Sequence, residues 1–227
     1  MGKITFAEIQ KNEKIMQLVN MSNENLGIIG YTEHGIRHVK YIAKIAGRIL
    51  EELGYPAERV ELAKIAGWVH DVGNMINRQY HSLTGAMILF EELQKLGMDF
   101  ADVCAVCSAV GSHDEEIGRP VSDISAALII ADKVDAYKAR VRLDSYSLED
   151  IHDRVNLSIY ETHVRVNKEE KQIIWEMHMK DHATPMEFME IYFSRMRMCE
   201  TSAAFLGCTF RLVINGLVMN QIGAVQA

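Results

Sequence analysis

Prolines are rare in this sequence, three in 227 residues, so long helices can form without interruption. Apolar residues recur at steps of three and four along most of the first 150 residues, as they do in a helix with one buried face. The clearest segment begins after Thr32, a suitable N-cap, ends at Leu53, and is followed by Gly54 as a helix stop. Its apolar face consists of Ile36, Val39, Ala43, Ala46, Leu50 and Leu53.

Five more helices are predicted in this part of the chain, and short links join them. Helix following helix with short connections predicts a helical bundle. These helices cover Thr5 to about Met21, Pro56 to Val69, about Ser82 to Leu96, about Phe100 to Val110, and a segment that begins after Pro120 and Ser122 and carries Ala126 through about Val141.

The pattern changes after about Asp150, where segments typical of strands replace the helical spacing. We therefore expect a helical domain over residues 1–150 and a small α+β appendage over residues 151–227. Such an appendage exposes a sheet face and an edge, and for this reason we expect it to mediate homo-oligomerisation. Its predicted elements are the strands Ile159 to Val166, Gln172 to Met179 and Thr209 to Ile214 and the helix Pro185 to about Leu206.

Composition argues against several kinds of partner. The formal net charge is −7 and no dense basic run occurs, which argues against binding of duplex nucleic acid. The longest apolar stretch, Ala203 to Met219, contains Arg211 and Asn215, so we do not expect it to span a membrane. Four cysteines are too few for a disulfide framework, and the first residues lack the apolar core of a secretion signal. We expect a cytoplasmic protein.

Two histidines and two aspartates occupy places where their polarity needs a partner. His70 and Asp71 are adjacent at the end of an apolar helix. Asp132 lies in another strongly apolar helix, and His38 lies close to the apolar face of a third. Burying a bare carboxylate is costly, and imidazole and carboxylate together suit Fe, Mn, Ni, Zn or Co. Taken singly, each residue also fits a structural role, as a hydrogen-bonded core histidine or as an aspartate that pairs with arginine or caps a helix.

Three short motifs follow one another in a fixed order. They are His38-Val39 with Ala43, then His70-Asp71-Val72-Gly73, then Ala131-Asp132-Lys133-Val134-Asp135-Ala136. Together they resemble the HD domain superfamily of metal-dependent phosphohydrolases, over roughly residues 25–145. The resemblance implies a mainly α fold, an HD-domain helical bundle that carries the small C-terminal α+β appendage. It also implies that the metal ligands are His38, His70, Asp71 and Asp132.

Two further histidines match the branch of that superfamily that binds two ions. His81 precedes a helix and His113 lies at a helix end. In that branch the motif aspartate, here Asp71, bridges both ions. The expected cofactor is therefore one or two divalent ions, of Fe, Mn, Ni, Zn, Co or Mg. His34 lies four residues before His38 on the same helical face and is an alternative ligand or a supporting group.

The resemblance implies hydrolysis of a phosphomonoester or phosphodiester of a nucleotide or small metabolite, by attack of metal-bound hydroxide on phosphorus. Asp71, Lys133 and Arg78 are the residues that we expect to act in the reaction. The two cations, ahead of Arg140, would neutralise oxygens of the phosphorylated substrate. Asp135 is a candidate for a group that supports the ligands.

Two alternatives remain open at this point. A minority of the superfamily uses a di-iron centre for oxygenation, and a non-catalytic regulator would bind a nucleotide and signal through the appendage. Hydrolysis of cyclic dinucleotides is not expected, because Asn74 stands where the related branch has lysine. Residues 117–120 read Ile-Gly-Arg-Pro and do not supply the Gly-Tyr-Pro signature of that branch.

Overall fold

The computed structural model describes residues 4–220, so the outer ends of the two predicted domains, residues 1–3 and 221–227, lie outside the described residues. The fold is mainly α, a helical bundle with a small α+β part, as the sequence predicts. The helices are α1 (Phe6–Lys11), α2 (Glu13–Ile28), α3 (Ile36–Leu53), α4 (Ala57–Val69), α5 (His81–Lys95), α6 (Phe100–Gly111), α7 (Asp123–Lys133), α8 (Ile151–Ser158) and α9 (Pro185–Phe205). The strands are β1 (Ile159–Asn167), β2 (Gln172–Met179), β3 (Thr209–Ile214) and β4 (Leu217–Val218), and short 3-10 helices span Val72–Met75 and Lys138–Arg140.

Helices α3 and α4 pack closely because a glycine lies at their contact. A Cβ on Gly67 would lie 2.7 Å from the Cα of Ala43 and 2.8 Å from its backbone nitrogen, so a side chain does not fit there. Ile42, Ile65 and Ile130 bury the centre of the bundle between α3, α4 and α7, each with 0% exposure. Full burial of one such side chain stabilises the fold by about 1.5–3 kcal/mol. This packing holds the last turn of α4 against α3.

The residues after 150 form α8 and a four-stranded sheet of order β1-β2-β3-β4. The pairs β1–β2 and β3–β4 are antiparallel, and β2–β3 is parallel, with α9 as the crossover. Phe188 and Tyr192 of α9 pack on Trp175 of β2, with ring centroids 5.6 and 6.1 Å from the indole. The buried apolar residues of the bundle and of this α+β part form one continuous core. A division into domains 1–150 and 151–227 stays a prediction.

The first two helices predicted in the chain differ from those in the structure. The helix expected from Thr5 to Met21 is two helices, because Asn12 takes an extended backbone and its side chain caps α2 by accepting from the amide of Ile15. The helix expected after Thr32 begins at Ile36, since the amide of Glu33 donates to the carbonyl of Arg140 and holds this segment outside the helix.

The helix expected to reach Val141 ends at Lys133. In a continuing helix the carbonyl of Asp135 would accept from a backbone amide one turn later. It accepts instead from Nη1 of Arg140 at 2.9 Å, and the chain turns away from the helix axis. The three predicted strands and the helix between them are confirmed, whereas α8 and β4 were missed. Within residues 4–220, the structure contains no helix with the length and apolar character that a bilayer crossing needs.

Candidate metal centre

The six side chains predicted as metal ligands meet at one end of the bundle. They come from five separate helices or helix ends, which the packing described above brings together. Five of the six residues are at most 4% exposed, and the side chain of the sixth, Asp132, is 14% exposed. The six are His38 in α3, His70 and Asp71 after α4, His81 at the start of α5, His113 after α6 and Asp132 in the last turn of α7.

His38 and His70 turn their lone pairs toward each other. Nδ1 of His38 donates to Oδ2 of Asp135 at 2.6 Å, and Nδ1 of His70 donates to the carbonyl oxygen of Gly67 at 2.9 Å. With the hydrogen on Nδ1, each neutral ring carries a lone pair on Nε2. The two Nε2 atoms lie 3.2 Å apart. Two lone pairs at this distance repel each other unless a cation accepts both.

His81 and His113 repeat this arrangement on the other side of the cluster. Nδ1 of His81 donates to the carbonyl oxygen of Arg78 at 3.0 Å, and Nδ1 of His113 donates to that of Val110 at 2.6 Å. Their Nε2 atoms lie 3.1 Å apart. Backbone acceptors therefore fix the tautomer of both rings, as they do for metal-binding histidines.

Asp71 lies between the two histidine pairs. Its Oδ2 is 3.4 Å from Nε2 of His70 and 3.7 Å from Nε2 of His38. Its Oδ1 is 3.4 Å from Nε2 of His81 and 3.9 Å from Nε2 of His113. The buried Oδ2 has no hydrogen-bond partner among the described residues, which is costly for a carboxylate. Each oxygen of Asp71 thus faces one pair of nitrogen donors.

Asp132 adds a second carboxylate to the first histidine pair. Its Oδ1 lies 3.6 Å from Nε2 of both His38 and His70. Ligand atoms that all lie within 4.8 Å of one another form three overlapping sets. This mixture of imidazole and carboxylate donors, with an orphaned buried oxygen between them, fits one or two divalent ions. The sets are His38–His70–Asp71, His70–His113–Asp132 and Asp71–His81–His113.

Two side chains behind the ligands hold the carboxylates in place. The amide Nδ2 of Asn74 donates to the backbone oxygen of Asp71 at 3.0 Å and to its Oδ1 at 2.9 Å. Arg37 donates to both oxygens of Asp135 at 3.0 and 2.7 Å, and Asp135 in turn orients His38. Supporting contacts of this kind raise metal affinity because they fix the direction of the ligand lone pairs.

Burial and charge set the protonation of the cluster. Burial lowers the pKa of His38 and of His113, so these rings are neutral near pH 7 and offer lone pairs. Burial would raise the pKa of Asp71, but the charge of His70 and its neighbours outweighs this and holds the pKa well below its usual value. Burial also lowers the pKa of His70, but the carboxylates of Asp71 and Asp132 raise it above the usual value.

The turn after Asp71 depends on the motif glycine. A Cβ on Gly73 would collide with the carbonyl oxygen of His81 and would lie 2.6 Å from the amide nitrogen of Gly85. Tyr80 takes the left-handed conformation, with φ 59°, and so turns the chain directly into α5. The missing side chain at position 73 lets α5 approach the turn closely enough for His81 to join the cluster.

A cavity of about 320 Å³ opens beside the cluster, a volume at the lower end of the range for small-molecule sites. Asp71 and Asp132 form part of its wall, together with carboxylates of Glu115, Asp150 and Asp153. Among the residues that the structure describes, four cations also line it, and such groups can donate charge-assisted hydrogen bonds to an anionic ligand. These cations are Arg78, Lys133, Arg140 and Arg195.

The predicted reaction residues Lys133 and Arg78 differ in how freely they face the cavity. Lys133 is 6% exposed and donates to Oδ2 of Asp132 at 2.7 Å, so it holds this predicted ligand in place. Arg78 lies with its guanidinium carbon 5.4 Å from the ring centroid of Tyr31, and its Nη1 is 3.2 Å from Nε2 of His81. Arg78 therefore borders the second histidine pair.

His34 does not join the metal-ligand sets. Its Nδ1 donates to the carbonyl oxygen of Thr32 at 2.7 Å, and its Nε2 accepts from Nη2 of Arg140 at 2.7 Å. Both ring nitrogens are therefore engaged. Arg140 is 7% exposed, and its Nε has no hydrogen-bond partner in the described part of the chain. His34 thus orients a buried cation of the cavity wall.

Sequence reasoning missed two residues of the site. Glu115 lies two positions after His113, and this proximity was the only signal available for it. Arg195 donates to Oε1 of Glu115 at 2.7 Å from 80 positions further along the chain. Only the packing of α9 on the bundle shows that Arg195 lines the cavity.

The bundle and its cluster of histidines and aspartates define an α-helical protein with a buried site that can hold a divalent metal ion. The family model described as HD domain matches residues 35–140, which contain all six clustered side chains. This segment of the chain therefore matches an HD domain, a family that is generally hydrolytic.

Several proteins are similar to this chain. An uncharacterised protein, MJ1020 of Methanocaldococcus jannaschii, is 25% identical over 213 residues, which is 83% of this chain and 81% of that protein. Ribonuclease Y of Enterococcus faecalis is 30% identical over 115 residues, which is 51% of this chain but only 20% of the ribonuclease. A crystal structure of a predicted HD superfamily hydrolase from an uncultured Thermotogales bacterium has a TM-score of 0.46 at 22% identity, covering 60% of this chain and 76% of that one.

Proposed function

We propose that this protein is a phosphohydrolase that cleaves a phosphate ester of a nucleotide or small metabolite and works with two divalent ions. One observation carries the proposal. Four imidazole Nε2 atoms, paired at 3.2 and 3.1 Å, flank a buried aspartate whose Oδ2 has no hydrogen-bond partner within residues 4–220. Four nitrogen donors around an ionised carboxylate in this arrangement favour bound cations.

The ligands divide into two groups that share Asp71. His38, His70 and Asp132 would hold one ion with Oδ2 of Asp71. His81 and His113 would hold the other with Oδ1 of Asp71. When bound, divalent ions in such a pair lower the pKa of water and offset charge on the oxygens of a phosphate ester.

The cavity wall supplies the contacts for the phosphate. Arg140 lines the cavity, and His34 and the carbonyl of Asp135 fix the orientation of its guanidinium. Arg78 lies beside the second histidine pair, and its guanidinium can bind a phosphate oxygen from that side. Charge-assisted hydrogen bonds from these two arginines would hold the phosphate group of the substrate in one orientation.

The size of the cavity favours a small substrate over a long polymer. A volume of about 320 Å³ suits a single nucleotide or a metabolite of similar size. The net charge of −7 also disfavours broad binding of a polyanion. The similarity to ribonuclease Y makes a phosphodiester in RNA a second candidate, over the half of the chain that aligns.

The test is a turnover screen of the purified chain with Mn²⁺, Fe²⁺, Co²⁺ or Mg²⁺. The substrates are p-nitrophenyl phosphate, bis-p-nitrophenyl phosphate, nucleoside monophosphates and a short single-stranded RNA. We expect release of phosphate or of the alcohol from at least one small ester and loss of turnover in Asp71→Ala. The control is Asp123→Asn, a carboxylate that pairs with Arg59 away from the cluster.

Three results would overturn the proposal. Full activity in Asp71→Ala would contradict the role of the cluster. Cleavage of the RNA alone would replace the small-molecule substrate with the second candidate. Oxygen consumption with an iron redox signal, without hydrolysis of any ester, would assign the site to oxygenation instead.

A further inference from the structure

We infer that the α+β part completes the metal centre, with Arg195 of α9 as a positioning residue that keeps Lys133 on the ligand Asp132 by neutralising Glu115. This inference rests on the proposed metal-dependent function. It assigns a role at the site to the segment after residue 150, for which the sequence suggested oligomerisation or signalling.

The contacts run without a gap from α9 to the ligand. Nε of Arg195 donates to Oε1 of Glu115 at 2.7 Å. The same oxygen lies 3.7 Å from Nζ of Lys133, which donates to Oδ2 of Asp132 at 2.7 Å. The other oxygen of Asp132 faces the histidine pair at 3.6 Å. Arg195 is thus three contacts away from the atom that would bind the ion.

Arg195 is anchored in the core of the α+β part. Its guanidinium carbon lies 4.7 Å from the ring centroid of Tyr192, which stacks on Phe188 at 4.4 Å with an interplanar angle of 10°. Tyr192 is 2% exposed and Phe188 is 0% exposed. A cation packed on a buried aromatic pair has little freedom to move, so it presents its Nε to Glu115 in one direction.

The charges around Lys133 explain why the contact between Arg195 and Glu115 affects Asp132. Lys133 lies between the carboxylates of Asp132 and Glu115, and its side chain is only 6% exposed, so water contributes little to its solvation. With Arg195 present, Glu115 has its own cation and Lys133 stays on Asp132. Without Arg195, the charge of Glu115 is left to Lys133 alone and draws it away from Asp132. Oδ2 of the ligand then loses its donor, and its orientation relaxes.

The cavity lining also indicates that the α+β part belongs to the site. The cavity beside the cluster is lined by His152, Asp153 and Asn156 of α8 and by Tyr192 and Arg195 of α9, as well as by residues of the bundle. The α+β part therefore contributes both a wall of the cavity and a charge that acts on the ligand shell.

The experiment measures divalent-metal affinity of the full chain by calorimetry with Mn²⁺, in the wild type and four variants. Arg195→Met removes the cation, and Arg195→Lys keeps it. Arg197→Met is the matched control, since Arg197 lies on the same helix and is exposed. The double variant Arg195→Met with Glu115→Gln removes the cation together with the charge that it neutralises. Thermal unfolding shows that each variant is folded.

We expect Arg195→Met to weaken Mn²⁺ binding about tenfold, the lower end of the effect of supporting residues at metal sites. Arg195→Lys and Arg197→Met should stay within about threefold of the wild type. Adding Glu115→Gln to Arg195→Met should restore most of the affinity, because a neutral amide no longer draws Lys133 from Asp132. A purely structural role for Arg195 predicts no such restoration.

Equal affinity in Arg195→Met and the wild type would overturn the inference, as would a double variant that binds no better than Arg195→Met. These results do not depend on turnover. If the wild type binds Mn²⁺ but hydrolyses no phosphate ester, the proposed function fails while the affinities still decide the role of Arg195. If the wild type binds no divalent ion, both proposals fail together.

Discussion

Oδ2 of Asp135 accepts a 2.6 Å hydrogen bond from Nδ1 of His38. The contact fixes the hydrogen on Nδ1 and directs the lone pair of Nε2 at the cluster. Arg37 holds both oxygens of Asp135, so the carboxylate has little freedom to rotate. Burial would raise the pKa of Asp135, but hydrogen bonds and charge from His38 and the nearby arginines lower it, and the group is ionised near pH 7.

Asp135→Asn should therefore weaken metal binding by about 10–100-fold, as loss of a group that orients a histidine ligand does. The amide keeps the size of the side chain but can offer its NH₂ group to Nδ1, which favours the wrong tautomer. Calorimetry with Mn²⁺ measures the effect. The control is Asp123→Asn, which makes the same substitution at a carboxylate away from the cluster. Equal affinity in Asp135→Asn and the control would contradict this role.

Gly73→Ala should both destabilise the protein and loosen the second histidine pair. The new Cβ would meet the carbonyl oxygen of His81 and the amide of Gly85, so α5 has to move. Overpacking of this kind costs about 1–3 kcal/mol in the free energy of unfolding, measured by urea denaturation. The control is Gly111→Ala, where the nearest atom to the added Cβ lies at 3.6 Å. Two similar unfolding curves would show that α5 does not depend on this close approach.

Arg140→Met should raise KM for the phosphate substrate more than it lowers kcat. A hydrogen bond to a charged group contributes about 1.5–3 kcal/mol, which corresponds to a fall in kcat/KM of about 10–100-fold. Arg140→Lys should recover part of the loss, since it keeps the charge but not the planar fork. Steady-state kinetics with the best substrate of the screen measure both constants. An unchanged KM in Arg140→Met would remove this residue from substrate binding.

The Arg59–Asp123 pair should make stability depend on pH at the acid end. Burial would raise the pKa of Asp123, but the hydrogen bond and charge of Arg59 lower it below its usual value. A lowered carboxyl pKa stabilises the fold above about pH 4, and this contribution fades as the pH falls further. The pair is partly exposed, 33% for Arg59 and 16% for Asp123, so we expect only about 1 kcal/mol.

Urea unfolding of the wild type and Asp123→Asn between pH 7 and pH 3 checks this expectation. The variant should be less stable than the wild type at pH 7, and the difference should shrink toward pH 3. A difference that stays constant over this range would show that the ionised carboxylate is not its source.

The sequence was sufficient to select the six side chains that the structure brings together, because the resemblance to the HD domain superfamily names their positions. The apolar run before His70 predicts where α4 ends, and the resemblance supplies the order of the motifs along the chain. The interruption at Asn12 was not predictable from apolar spacing, because a side-chain cap replaces the helix there. The early end of α7 was hidden for a similar reason, since the carbonyl of Asp135 is satisfied by the side chain of Arg140.

Contacts between distant parts of the chain were beyond sequence reasoning. Arg140 ranked below Lys133 as a substrate contact when judged by charge alone. In the structure Lys133 is engaged with Asp132, whereas His34 and the carbonyl of Asp135 orient Arg140 in the cavity wall. Arg195 gave no signal at all, because its relation to Glu115 exists only once α9 packs on the bundle. Pairing of this kind depends on tertiary packing and not on local propensity.

Metal stoichiometry of Asp71→Ala tests the central claim most directly. Purified wild type, Asp71→Ala and His81→Ala are each reconstituted with Mn²⁺ or Co²⁺, freed of excess metal and measured by elemental analysis per chain. We predict two ions in the wild type, one in His81→Ala and none retained by Asp71→Ala, because the two oxygens of Asp71 face both histidine pairs. A folded Asp71→Ala that keeps the metal content of the wild type would contradict the account.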